Sequence, residues 1–464
     1  MAAANGAFLA VARAAGLTAL LILANGSRAG AAEPYTLSEP PTDARVKAVN
    51  MQVAISGKVI TSAGGGKELS HELNAAAEYR FRERRLSGAG RDAEAYRSLR
   101  QYDGAAVRTS ISKEVSTQSL PRELSLIAVQ GERWGTMKYS PDHLLTREQL
   151  DLLDVPGDPL AIVALLPARA VEVDETWDVP DWAVQMLTTL EAASSAKMTA
   201  KLTGVSNGAA RIEFNGAADG ARLGAITKVE LSGHLLFDLG RSLIKSVELT
   251  HTEKGAVGTV TPGIDSQVRV MIARSLSETA ETLTDERANS LPLEPPADRM
   301  PLRFDAPSWG VSLVHGRGWH VFKAIFDTDP QVVILRLVDQ GTLVCQCNFS
   351  PVPDAAPGEH TPLEDYENSI RQSLGAQFGA IVSRDTIPSE DGRKIFRVTT
   401  QGKYTLPEGE ETKDYPMSWI YYLCVAPTGR QVSFVFAVEP SMKELLAGQD
   451  RQIVESLQFT PPVR

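Results

Sequence analysis

Apolar and polar positions alternate over long stretches of this chain. Within residues 68–86, Leu69, Leu73, Ala75 and Ala77 share one parity, followed by Tyr79 and Phe81. Alternation of that length predicts a half-exposed strand rather than a helix. Residues 51–61, 105–115, 124–130 and 134–139 read the same way. The period then changes. Residues 146–155 and 159–166 read as two short helices, punctuated by Pro156, Pro159 and Pro167. Trp182 opens a further helix to Leu190. Strands return at 196–205, 209–215, 225–236, 242–252 and 267–277, with Gly204, Gly208, Gly216, Gly220 and Gly224 marking turns. One curved antiparallel sheet with helices in its concavity fits this order. Two sheets, one on each side of residue 166, fit it as well.

Residues 279–302, TAETLTDERANSLPLEPPADRMPL, carry acidic residues and four prolines and predict a boundary. Beyond it lie expected strands around 309–311, 319–322, 332–337 and 341–348. A helix is expected at 362–374, with Leu363, Tyr366, Ile370 and Leu374 on one face. Strands at 394–400, 418–426 and 431–438 precede a last helix at 442–457. The order predicts an α+β sandwich with its helices gathered on one side of an antiparallel sheet. The expected fold class is therefore mainly β with α+β. The expected layout is a signal peptide (1–32), a leader (33–48), a β-rich domain (49–280), a linker (281–300) and an α+β domain (301–464).

Composition narrows the function. The chain has 464 residues, 43% hydrophobic and 22% charged, and a formal net charge of -10. Those values exclude a mostly disordered chain and a polytopic membrane protein. An acidic chain is also a poor nucleic-acid binder. The N-terminus carries Arg13, the short apolar run LTALLILA and the small residues Ala29, Gly30 and Ala31, which fit a cleaved export signal. Cleavage there removes Arg13 and Arg28 and takes the formal charge from -10 to -12. The expected location is periplasmic or extracellular, in a bacterium, with no membrane insertion of the mature chain.

Two resemblances follow from quoted residues. "RFDAPSWGV", "LEDYENSIRQSLG", "GRKIFRVTTQG", "WIYYLCVAPTGRQVSFVFAVE" and "DRQIVESLQF" resemble the fold shared by the photosystem accessory protein PsbP and the nuclear-transport factor Mog1. The resemblance covers about residues 300–460. It implies a binding and assembly module and carries no site residue over. The segment "LLPARAVEVDETWDVP" resembles the start of a secreted bacterial β-rich module. The glycine of that pattern is missing, and Asp174, Glu175, Thr176 and Trp177 stand there instead. The long strands around short helices are also similar to the lipoprotein-carrier half-barrel, which implies an interior pocket for a lipid or other apolar ligand.

Candidate chemistry is sparse. Three cysteines are present. Cys345 and Cys347 share one face of an expected strand, and Cys424 lies on another, so an exported chain is expected to pair Cys424 with Cys345 or Cys347. Arg80, Arg82 and Arg84 share a strand face that would suit an anionic partner. Trp419, Tyr421 and Tyr422 lie on a hairpin apolar on both faces, which predicts core structure, with an aromatic platform as the alternative. The seven histidines are scattered, the nearest pair being His315 and His320. No H-E-x-x-H or P-loop occurs, and the G-x-S-x-G string at 204–208, GVSNG, falls in an expected turn between two strands. No catalytic residue, cofactor or metal is expected. The reading is an exported binding or scaffolding protein, whose partner is an unknown protein or an apolar small molecule. A periplasmic lipid carrier is the first alternative and an enzyme of an unrecognised class the second.

Overall fold

The structure is a computed structural model that describes residues 34–62, 67–408 and 411–461. The expected signal peptide, residues 1–32, lies outside the described residues. The described chain is mostly β with a smaller α+β part.

Twelve strands form one antiparallel sheet. They are β1 (Asp43–Ser62), β2 (Glu68–Ser87), β3 (Tyr96–Ile111), β4 (Glu114–Ser119), β5 (Leu126–Glu132), β6 (Gly135–Tyr139), β7 (Thr176–Asp178), β8 (Ala192–Ser206), β9 (Ala209–Arg222), β10 (Ala225–Asp238), β11 (Leu243–Gly255) and β12 (Gly263–Leu276). Their order is β6-β5-β3-β2-β1-β12-β11-β10-β9-β8-β7, with β4 beside β3. Strands from both sides of residue 166 thus share one sheet, joined where β1 pairs with β12. β1 begins eight residues earlier than the expected strand, inside the expected leader. That leader is packed, because Glu39 accepts hydrogen bonds from Arg274 at 2.8 and 3.0 Å.

The period-two alternation fixes two faces. One transverse row reads Val107, Ala77, Val53, Val270, Leu249, Gly233, Phe214 and Ala200. Its neighbour on the other face reads Arg108, Ala76, Ala54, Arg269, Thr250, Ser232, Asn215 and Thr199. The first face is covered by α1 (Arg147–Leu153), a 3-10 turn at Ala161–Leu165 and α2 (Asp181–Thr188). A capping box starts α1: the Thr146 hydroxyl accepts from the Gln149 amide, and the Gln149 side chain accepts from the Thr146 amide. The run Leu160–Leu165 is at most 7% exposed. Each of its Leu, Ile and Val side chains contributes about 1.5–3 kcal/mol. Gly157 lets the turn before it approach the sheet. Its φ is +74°, and a Cβ there would sit 2.7 Å from Leu249 Cδ2. α2 packs against β5 and β6 near one end of the sheet and against β8 and β9 near the other.

Residues 281–300, read from sequence as a linker, lie partly on the opposite face of this sheet. Leu283 is fully buried there with Val46, Leu86, Leu99 and Tyr139. α3 (Asp285–Ser290) follows, its first turn capped by Thr284.

The remaining strands form two sheets. β13 (Leu302–Ala306), β14 (Val311–His315) and β22 (Gln458–Phe459) make a small one. β15 (Trp319–Ile325), β16 (Val332–Asp339), β17 (Thr342–Val352), β18 (Phe378–Ile387), β19 (Lys394–Glu408), β20 (Glu411–Val425) and β21 (Gln431–Val438) make a seven-stranded one, ordered β15-β16-β17-β21-β20-β19-β18. The expectation of helices on one side is corrected here. α4 (Leu363–Leu374) packs Tyr366, Ile370 and Leu374 on the face bearing Trp419, Tyr421 and Leu423. α5 (Lys443–Leu446) and α6 (Gln449–Ser456) cover the face bearing Ile420, Tyr422 and Phe436. Both faces of β20 and β21 are apolar, so each requires its own cover. The single expected last helix is broken at Ala447 and Gly448, which both adopt positive φ. Among the described residues no helix is long and apolar enough to cross a membrane.

Candidate functional site

The apolar parity of β2 does not stop at Phe81. It continues to Glu83 and Arg85, which places both charges on the helix-covered face. Glu83 lies between Lys47 on β1 and Arg100 on β3. Asp158, in the turn after α1, accepts from Arg100 Nη1 at 3.0 Å and Nη2 at 2.5 Å, and from the Leu160 amide at 2.8 Å. Lys138 Nζ lies 3.5 Å from Asp158 and 2.9 Å from Asp154. Arg85 donates to the Pro159 carbonyl at 2.9 Å, and the Tyr79 hydroxyl donates to the Leu152 carbonyl at 2.9 Å. Four sheet side chains, Arg100, Lys138, Arg85 and Tyr79, therefore hold the end of α1 and the turn after it.

Burial opposes charge in this cluster, and the partners win. Burial alone would raise the Asp158 carboxyl; Arg100 and Lys138 hold it well below the usual carboxylate range. Burial likewise acts against the Glu83 carboxylate, yet Arg85 and Arg100 bring it down to about 2. The Lys138 ammonium is disfavoured by burial, but Asp154 and Asp158 raise it overall. All three groups stay charged at neutral pH. The cluster is a clasp between sheet and helical segment, not a proton donor.

The uncovered face carries a different feature. An open trough of about 580 Å³ crosses β3, β2, β1 and β12. Ala54, Ala76 and Ser56 form its floor, Asn74, Ser110 and Gln267 line it, and Arg108 and Arg269 stand on either side. Both arginines are exposed, and neither takes part in a hydrogen bond or ion pair among the described residues.

The residues singled out from sequence fall elsewhere. Arg80, Arg82 and Arg84 do share a face, but two of them are occupied from within the chain. Arg82 pairs with Asp103 and Glu281. Arg84 donates to the Leu283 carbonyl and pairs with Asp285. Among the described residues only Arg80 of the three stays exposed without a partner. The anion that this face meets is the 281–285 segment itself.

The expected disulfide is corrected. Cys345, Cys347 and Cys424 are buried free thiols. β21 lies between β17 and β20, which puts the two strands about 9–10 Å apart. A disulfide requires Cα atoms within roughly 7 Å. The register widens the gap, because Cys424 aligns through Val432 with Pro351 rather than with either cysteine. Burial pushes the Cys424 thiol up to about 12.

The aromatic platform is corrected as well. Trp419, Tyr421 and Tyr422 are 6%, 8% and 0% exposed and belong to the core. The Tyr422 hydroxyl donates to Asp450 at 2.6 Å. The turn in "VHGRGWH" makes neighbours of His315 and His320, and burial lowers them to about 4 and about 3. Among the described residues no group of three His, Cys, Asp or Glu is placed to hold a metal ion.

Sequence reasoning missed both Glu83–Arg85 and Arg108–Arg269. Strand parity carried the signal for the first pair. For the second, the face was legible but the neighbouring strands were not.

No family model matches the chain, and no curated protein matches it. Among solved structures it is similar to cyanobacterial PsbP (CyanoP) from Synechocystis, at 11% identity over 34% of this chain and 92% of that one, with a TM-score of 0.25. It is also similar to the Pseudomonas aeruginosa MucA/MucB complex, at 11% identity over 92% of this chain and 96% of that one, with a TM-score of 0.18. Both likenesses are loose.

Proposed function

We propose that this chain is an exported, non-enzymatic binding or scaffolding protein of the bacterial cell envelope. The observation that carries the reading is the two-sidedness of the twelve-stranded sheet. Its inner face is filled by residues 145–190 and clasped to them through Asp158, whereas its outer face is open across four strands at the trough. Contact of α2 with strands at both ends supports a sheet curved around the helical segment. The two-faced seven-stranded sheet supports a PsbP/Mog1-like sandwich behind it, reached through residues 281–300. The signal-like sequence of residues 1–32 supports export, to the periplasm or beyond.

Native mass spectrometry of the mature protein, purified gently from its own host, tests this. A stoichiometric complex with another macromolecule is expected. A bare chain at every concentration and salt examined overturns it.

A second reading is favoured by one observation. The inner apolar face runs past its helical cover. Leu69 is 51% exposed and Ile111 is 38% exposed, next to the buried Leu73 and the half-buried Ile55 and Val59. An apolar ligand carried there would appear as added mass and be released on denaturation.

A further inference from the structure

We propose that the trough on the outer face binds an extended acidic peptide segment, with Arg108 and Arg269 each taking one carboxylate. This rests on the binding-protein reading and names the chemistry of the partner.

The argument begins with what the two arginines lack. Of the other arginines that β2 places on this face, Arg82 and Arg84 are neutralised by Glu281, Asp103 and Asp285, and Arg80, exposed like the two of the trough, stands two rows away from them. Arg108 and Arg269 have no such partner among the described residues. Between them stand two alanines in one cross-strand row, Ala76 and Ala54. The next row offers Ser110, Asn74, Ser56 and Gln267. Small side chains make the depression, and amides and hydroxyls supply hydrogen bonds.

Spacing selects the occupant. Three strand-to-strand steps separate the Cα atoms of Arg108 and Arg269, or about 14 Å. An extended chain rises about 3.4 Å per residue, so residues i and i+4 lie about 14 Å apart and point to the same side. Two acidic residues four apart therefore match the two guanidiniums. Glu78, one row to one side, and Glu72 and Asp265, which flank Lys58 one row to the other, place carboxylates at both edges of the two rows of the trough. A diffuse anionic surface would meet those carboxylates; a segment lying across the strands avoids them. No aromatic side chain lines the trough, so nothing there stacks on a sugar ring or a base.

The test uses the mature full chain and a fluorescein-labelled heptapeptide with glutamates at its second and sixth positions. Fluorescence anisotropy at low salt should show saturable binding that weakens as salt is raised. Arg108→Ala and Arg269→Ala should each weaken it about tenfold, and the double variant about a hundredfold. Both sites are exposed, so folding should be unaffected, as circular dichroism would confirm. A peptide with glutamates at the second and third positions should bind about tenfold more weakly, and Arg80→Ala should leave binding unchanged. Absence of binding, equal binding of the two peptides, or full binding by the double variant overturns the proposal. Capture by phosphatidylglycerol vesicles without peptide binding overturns it too. A native complex that persists in the double variant removes this proposal and leaves the binding-protein reading intact.

Discussion

Removing the Asp158 carboxylate should destabilise the twelve-stranded sheet more than any surface charge change. The side chains of Asp158 and Arg100 are each 2% exposed, and that of Lys138 is 1% exposed. In Asp158→Ala the Arg100 guanidinium loses two charge-assisted hydrogen bonds, and water cannot replace them. Lys138 keeps the half-exposed Asp154, and Arg100 keeps Glu83, so the loss falls on Arg100 in particular. Breaking one partner of a buried pair costs about 3–5 kcal/mol. Against a total stability of about 5–15 kcal/mol for a domain, that is a large fraction. Urea denaturation followed by far-ultraviolet circular dichroism should show the first transition moved down by at least about 1 M. Arg100→Met combined with Asp158→Leu should recover most of the loss, because apolar replacement of both partners removes the stranded charge. A loss below about 1 kcal/mol in Asp158→Ala, the scale of an exposed pair, would refute the clasp.

Three further outcomes are expected. Burial holds His251 and His315 at about 4, against 6.5 for a free imidazole, so between pH 6.5 and 4 the unfolded chain binds protons that the folded chain refuses. Stability should be full above pH 6.5 and fall on acidification, by up to about 1.4 kcal/mol per unit for each histidine, and His251→Leu should flatten the slope seen in chemical denaturation at a series of pH values. The three thiols should ignore a thiol reagent in the native protein and all react after denaturation; an intact mass lowered by one disulfide would contradict the strand order given above. Gly157→Ala should cost about 1–3 kcal/mol in thermal unfolding, since it combines a φ of +74° with a clash against Leu249, and an unchanged melting temperature would show that the turn can withdraw from the sheet.

Much of the element order was legible before any coordinates. β2 and α4 fall almost where periodicity put them, because a long one-sided pattern admits one conformation. β18 was not legible: FGAIVSRDTI is short of alternation, and it becomes a strand by pairing with β19. The last helix was read through Ala447 and Gly448, where a positive-φ pair breaks it while the apolar pattern runs on.

The candidate sites divide the same way. Parity alone assigns Glu83 and Arg85 to the face of Tyr79 and Phe81, and Arg108 and Arg269 to opposite faces from Val107 and Val270. Those are local facts, set by a two-residue repeat. Whether a charge on the inner face is satisfied depends on Asp158, which is 58 residues from Arg100 in the chain. Whether two arginines make one trough depends on β1 pairing with both β2 and β12, which brings residues 108 and 269 into a single row. The separation of Cys424 from Cys345 and Cys347 is decided by the insertion of β21 between their strands. The sequence by itself determined the faces of strands and helices, because side-chain direction follows from backbone geometry. Only the tertiary structure decided which faces meet, because strand order is chosen by the burial of the whole sheet and leaves no local mark.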